Sequence, residues 1–78
     1  MTRIEYYIML SHFPIGSYII LDKASAGGVP YNSIGKIVSV NRELDTILID
    51  FDNGIRSSLI YSVDMFHRYV ESHFTVSY

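Results

Sequence analysis

The run Thr46–Ile55, TILIDFDNGI, limits the fold more than any other part of the chain. Ile47, Ile49 and Phe51 alternate with Leu48 and Asp50, the period-two pattern of a strand with one buried face. Asn53-Gly54 follows at once. Asn-Gly between apolar runs predicts a two-residue hairpin turn of type I′, because both central positions need positive φ and these residue types tolerate it. The turn joins a strand near Thr46–Phe51 to one near Ile55–Ile60. Upstream, the β-branched residues Ile37, Val38 and Val40 read as another strand, and Asn41–Asp45 as a polar connection.

The other segments fit around this unit. Thr2 and Glu5 have the spacing of a capping box, which predicts a short helix over residues 3–11. Ile4, Tyr7, Ile8 and Ser11 fall on one stripe, widened by Tyr6, Met9 and Leu10. A strand is the rival reading, because Tyr6, Tyr7 and Ile8 favour strands too. Either way the segment is apolar nearly all round and should be covered on both sides. Pro14 ends it. Ser17–Leu21 reads as a strand with Ile19 and Leu21 inward. Asp22–Ser33 reads as a long flexible loop. It contains Ser25-Ala26-Gly27-Gly28, but neither the GKS or GKT of a P-loop nor a GxGxxG. Asn32–Gly35 is a turn, and Ser57–Tyr61 a further strand. Ser62 could cap a helical turn, with Met65, Phe66, Tyr69 and Val70 at helical or irregular spacing. His73–Tyr78 alternates again and reads as a terminal strand. The expected core is Ile19, Leu21, Ile37, Ile47, Ile49, Phe51 and Leu59.

These elements predict a mainly β fold, a small barrel of about five strands with a short N-terminal helix, in a single domain over 1–78. At 78 residues such a domain buries only roughly 60–65% of its unfolded surface, so its core is small. There is no cysteine, which excludes disulfides and thiolate metal sites. The longest apolar run, Tyr6–Leu10, is too short to span a bilayer, and no signal peptide opens the chain. The expectation is an intracellular protein without a membrane partner.

The net charge is −2 and the six basic residues are dispersed, whereas a nucleic-acid binder concentrates positive charge. Folding could still gather Lys36, Arg42 and Arg56. His12, His67 and His73 fit no metal-ligand spacing, so they read as surface histidines. Asp50 and Asp52 flank Phe51 and could carry acid–base chemistry, but Asp52 is better placed to bond amides of the turn. No serine stands in a GxSxG. No catalytic residue, metal site or cofactor is therefore expected. Seven tyrosines exceed what so small a core can use, and tyrosine favours protein interfaces. The expected partner-binding residues are Tyr6, Tyr7, Tyr18, Tyr61, Phe74, Val76 and Tyr78. The terminal strand either closes the chain's own barrel or offers an open edge for a homodimer or a partner strand.

Four short motifs recur together: Phe13-Pro14-x-Gly16-x-x-Ile19-x-Leu21, Gly35-x-Ile37, Phe51-Asp52-Asn53-Gly54, and Leu59-Ile60-x-x-Val63-Asp64-x-Phe66. Over residues 13–69 this pattern resembles a small family known as domain of unknown function 4314, found largely in bacteria, their phages and mobile elements. The resemblance implies an SH3-like small β-barrel and no agreed activity. Asn32 stands where members usually have glycine, and asparagine tolerates the same positive φ. Phe51 replaces a tryptophan. Ser57 replaces a leucine, which leaves a thinner core or a partner site. Lys23–Gly28 replaces an acidic loop, and 73–78 is an addition. The functional expectation is a non-catalytic protein-interaction module of a phage or mobile element. It would bind and block a host protein, such as a defence component, in the bacterial cytoplasm. The alternatives are an oligomeric sponge for a nucleotide signal and a nucleic-acid-binding adaptor.

Overall fold

A capping box opens the first element. In the computed structural model, which describes residues 1–70, the Glu5 N–H donates to Thr2 Oγ1 at 3.1 Å and the Thr2 N–H to Glu5 Oε1 at 2.8 Å. Helix α1, Arg3–His12, follows, so the helical reading holds and the rival strand does not. The Phe13 N–H still donates to the Met9 carbonyl. Pro14 then holds Phe13 in non-helical backbone and the helix stops. The expected burial on both sides is corrected. Met9 is buried, but Ile4, Tyr7 and Ile8 are exposed. Among the described residues the helix has the core cluster on one side alone, so the rest of its apolar circumference faces water.

Five strands follow: β1 Tyr18–Leu21, β2 Ile34–Asn41, β3 Thr46–Phe51, β4 Arg56–Ile60 and β5 Phe66–Tyr69. They pair antiparallel in one sheet, in the order β4-β3-β2-β1-β5. Among the described residues β4 and β5 are its two edges and are not paired with each other, so these five strands do not close on themselves. β5 corrects the helical or irregular reading of residues 65–70. Phe66 pairs with Leu21 and Tyr69 with Tyr18. A three-residue spacing of aromatics suits a helix face or the two faces of a strand, and the distant partner β1 decides between them. The segment from 73 to 78, expected as a terminal strand, lies outside the described residues.

The β3–β4 turn is also corrected. Of its residues only Gly54 has positive φ, at 88°. The Gly54 N–H donates to the Phe51 carbonyl at 3.0 Å and the Phe51 N–H to the Ile55 carbonyl at 2.7 Å. This is a three-residue loop with glycine at the left-handed position rather than a two-residue type I′ turn. Asn53, not Asp52, bonds the turn: its Oδ1 accepts from the Ile55 N–H at 3.1 Å. A Cβ at Gly54 would meet nothing within 4 Å. Gly54→Val should therefore cost about 1–3 kcal/mol from backbone strain alone, since β-branched residues resist positive φ. Thermal unfolding checks this, and an unchanged melting temperature would contradict it. Asn32 does adopt the left-handed conformation, with φ 72°.

All seven expected core residues are buried, joined by Met9 from α1 and Val29 from the β1–β2 loop. That loop is not merely a flexible connection. Val29 anchors it in the core, and the Val29 N–H donates to the buried Ser25 Oγ at 3.0 Å. A Cβ on Gly27 would lie 3.3 Å from Ser57 Oγ. The small side chain at Ser57 thus leaves room that the loop fills.

Candidate partner-binding surfaces

Two surfaces present groups that could hold a partner. The first is the outer side of α1. Ile4, Tyr7 and Ile8 are 71%, 63% and 50% exposed. Their i, i+3, i+4 spacing places them on one face. The capping box and the buried Met9 fix the helix that carries them. The Tyr6 and Tyr7 rings meet edge to face, 5.6 Å apart, which steadies Tyr7 on the surface.

The second is a cleft of about 340 Å³ lined by Phe13, Asp22, Tyr61, Asp64, Met65 and Phe66. Phe13 comes from the end of α1, Asp22 from the end of β1, and Tyr61–Met65 from the β4–β5 connection. The Phe13 and Phe66 rings are 5.2 Å apart at 67°, and Tyr61 and Phe66 are 6.4 Å apart at 58°. Asp64 builds this region. Its Oδ1 accepts from the Ala26 N–H and its Oδ2 from the Ile60 N–H, both at 2.6 Å. One carboxylate thereby ties the β1–β2 loop to the end of β4, and charge-assisted bonds of this kind are the strong ones. Asp22 Oδ1 lies 2.6 Å from His67 Nδ1, the imidazole donating.

The outer face of the sheet carries a cross-strand row. Tyr69, Tyr18, Lys36, Asp50 and Arg56 are successive register partners across all five strands. Arg56 grips Asp50 through two nitrogens, Nη2 to Oδ2 at 2.8 Å and Nε to Oδ1. That bond, helped by the charges of Arg56 and Lys36, holds the Asp50 carboxyl below its usual value and raises Arg56. The Asp50 carboxylate is an ion-pair member here.

The expected partner-binding tyrosines are therefore separated. Tyr6 and Tyr7 lie on α1, Tyr18 on the outer sheet face, and half-buried Tyr61 in the cleft. Phe74, Val76 and Tyr78 lie outside the described residues. Sequence reading singled out the tyrosines and missed Ile4 and Ile8 as surface residues. Their stripe was legible, but which side of an all-round apolar helix meets the sheet was not. It also missed the Asp22–His67 pair, whose members stand 45 residues apart. Asp64-x-Phe66 was visible as a motif, and its staple role needed the fold.

Among the described residues no three histidine, aspartate or glutamate side chains gather as a metal site. No described helix is long and apolar enough to cross a membrane. No family model, curated protein or solved structure matches this chain.

Proposed function

We propose that this chain is a non-catalytic protein-binding module that docks through α1. The observation that carries this reading is the exposed apolar stripe Ile4-Tyr7-Ile8 on a helix anchored from its other side by Met9. Anchors at i, i+3 and i+4 are what a helix offers to a hydrophobic groove. Tyrosine at the centre of such a patch contributes contact area at low entropy cost.

The setting comes from the resemblance to the family of unknown function 4314. It suggests a phage or mobile-element protein that blocks a host protein, for example a defence component, in the bacterial cytoplasm. An SH3-like barrel belongs to the same proposal. The all-antiparallel order with β5 returning beside β1, and the register shift between Ile37 and Ser39 in β2, support it, because bulges bend strands as closure requires.

Recovery of the tagged full chain from phage-infected bacteria tests the function, with the eluate read for protein, nucleotide and nucleic acid. One host protein should be recovered in stoichiometric amount. The doubly substituted chain, Ile4→Asp with Ile8→Asp, should lose it at least about tenfold, a change of ~1.4 kcal/mol or more. Both positions are exposed, so thermal stability should stay within roughly 0.5 kcal/mol. Recovery of a nucleotide or nucleic acid instead, or unchanged recovery by the double variant, would overturn the reading.

A further inference from the structure

The cleft beside the end of α1 has a composition that fits one chemical class. Three rings from separate segments, Phe13, Tyr61 and Phe66, form two pairs, Phe13–Phe66 and Tyr61–Phe66, inclined at 67° and 58°. Tilted rings of this kind present both faces and edges to the space between them. Asp22 and Asp64 line the same cleft. Ring faces and carboxylates both attract organic cations, and neither attracts anions. A volume of about 340 Å³ lies at the small end of ligand-sized clefts.

The hydrogen bonds narrow the class further. Both oxygens of Asp64 are engaged by backbone N–H groups, and Asp22 Oδ1 by His67. Of the four carboxylate oxygens of these two residues, Asp22 Oδ2 is the one with no hydrogen bond among the described residues. A guanidinium needs two adjacent acceptors for its fork, whereas an ammonium is a point donor that one oxygen suits. The rim indicates the source. Met65, which lines the cleft, is 51% exposed, and Val63, two residues before it in the chain, is 62% exposed, apolar surface that a polypeptide covers and a small free amine does not.

We propose that this cleft receives a lysine side chain of a partner protein, its ammonium on Asp22 and its methylenes against Phe13, Tyr61 and Met65. The inference rests on the protein-binding reading and adds a second contact point, lined by none of Ile4, Tyr7 and Ile8. Lys23 and Arg68 are the chain's own neighbouring cations, and neither forms an ion pair with Asp22 or Asp64 among the described residues.

The test uses the full chain, labelled with ¹⁵N, and a short capped peptide with one lysine between apolar residues. Two probes serve as controls: the same peptide with norleucine in place of lysine, and n-butylammonium alone. Amide shifts at Ala26, Ile60 and Met65 report the cleft. The lysine peptide should give saturable shifts at millimolar concentration and bind about tenfold more tightly than the norleucine peptide, a difference of ~1.4 kcal/mol. Added salt should weaken it. Asp22→Asn should erase the lysine preference, and Tyr61→Leu, which keeps apolar volume but removes the ring, should weaken binding about threefold. Ile4→Asp with Ile8→Asp should leave the titration unchanged, so failure of the α1 reading and failure of this one are distinguishable. Equal binding of the two peptides would overturn the proposal in favour of a plain apolar cleft. Butylammonium binding as tightly as the lysine peptide would overturn its protein source. No saturation by any probe would overturn it outright.

Discussion

Phe51→Ala is expected to cost about 3–5 kcal/mol, enough to leave much of the chain unfolded at 37 °C. Phe51 is 4% exposed and ends β3, where the chain turns through Asp52–Gly54. Its ring helps cover Gly35 on the neighbouring strand. Removing it deletes the transfer free energy of the ring and leaves a void that the sheet cannot collapse to fill. Small domains have little stability in reserve, since their buried fraction is low. Urea unfolding followed by circular dichroism measures the effect. A variant that kept its midpoint would place Phe51 on the surface.

Gly35→Val is expected to cost about 3 kcal/mol, the upper range for overpacking. Gly35 is buried in β2 opposite Phe51. A Cβ there would lie 2.9 Å from Phe51 Cδ1 and 3.1 Å from the Asp50 carbonyl oxygen, and would overlap Ile49 Cγ2. The Ile49 methyl sits on a stiff β-branched carbon and cannot swing away, and the carbonyl belongs to the strand backbone. The cost should shrink by about 1 kcal/mol in an Ile49→Ala background, because the two side chains compete for one volume. Additive costs in that double-mutant cycle would show that the glycine is needed for some other reason. Such close approach is a recognised use of glycine within a strand.

What was legible in the sequence was local. The Thr2–Glu5 capping box and Pro14 bracket α1 because caps and proline act within one turn of chain. The alternation Ile47-Ile49-Phe51 identifies the buried face of β3, since strand side chains alternate whatever the partner. Every residue assigned to the core from such patterns is buried. The Asn-Gly pair located the β3–β4 turn correctly but not its type. Whether the loop holds two residues or three depends on which strand residues pair across it, and that is set by the register of β3 on β4.

What only the tertiary structure decided was non-local. β5 is a strand because β1 offers it an edge, and Phe66–Tyr69 carries no strong pattern of its own. The β1–β2 loop is ordered by Val29 in the core and by Asp64, 38 residues beyond Ala26. The outward face of α1 could not be read at all, since the helix is apolar nearly all round and propensity does not say which side meets the sheet. The aromatic–carboxylate cleft likewise joins residues from 13 to 66 that share no spacing. The sequence by itself determined α1, β1 to β4 and seven of the core residues, because periodicity and capping are short-range. Exposure is a property of the packed molecule, so the tertiary structure alone turned Ile4, Tyr7 and Ile8 into a surface and placed Asp22 and Asp64 beside three aromatic rings.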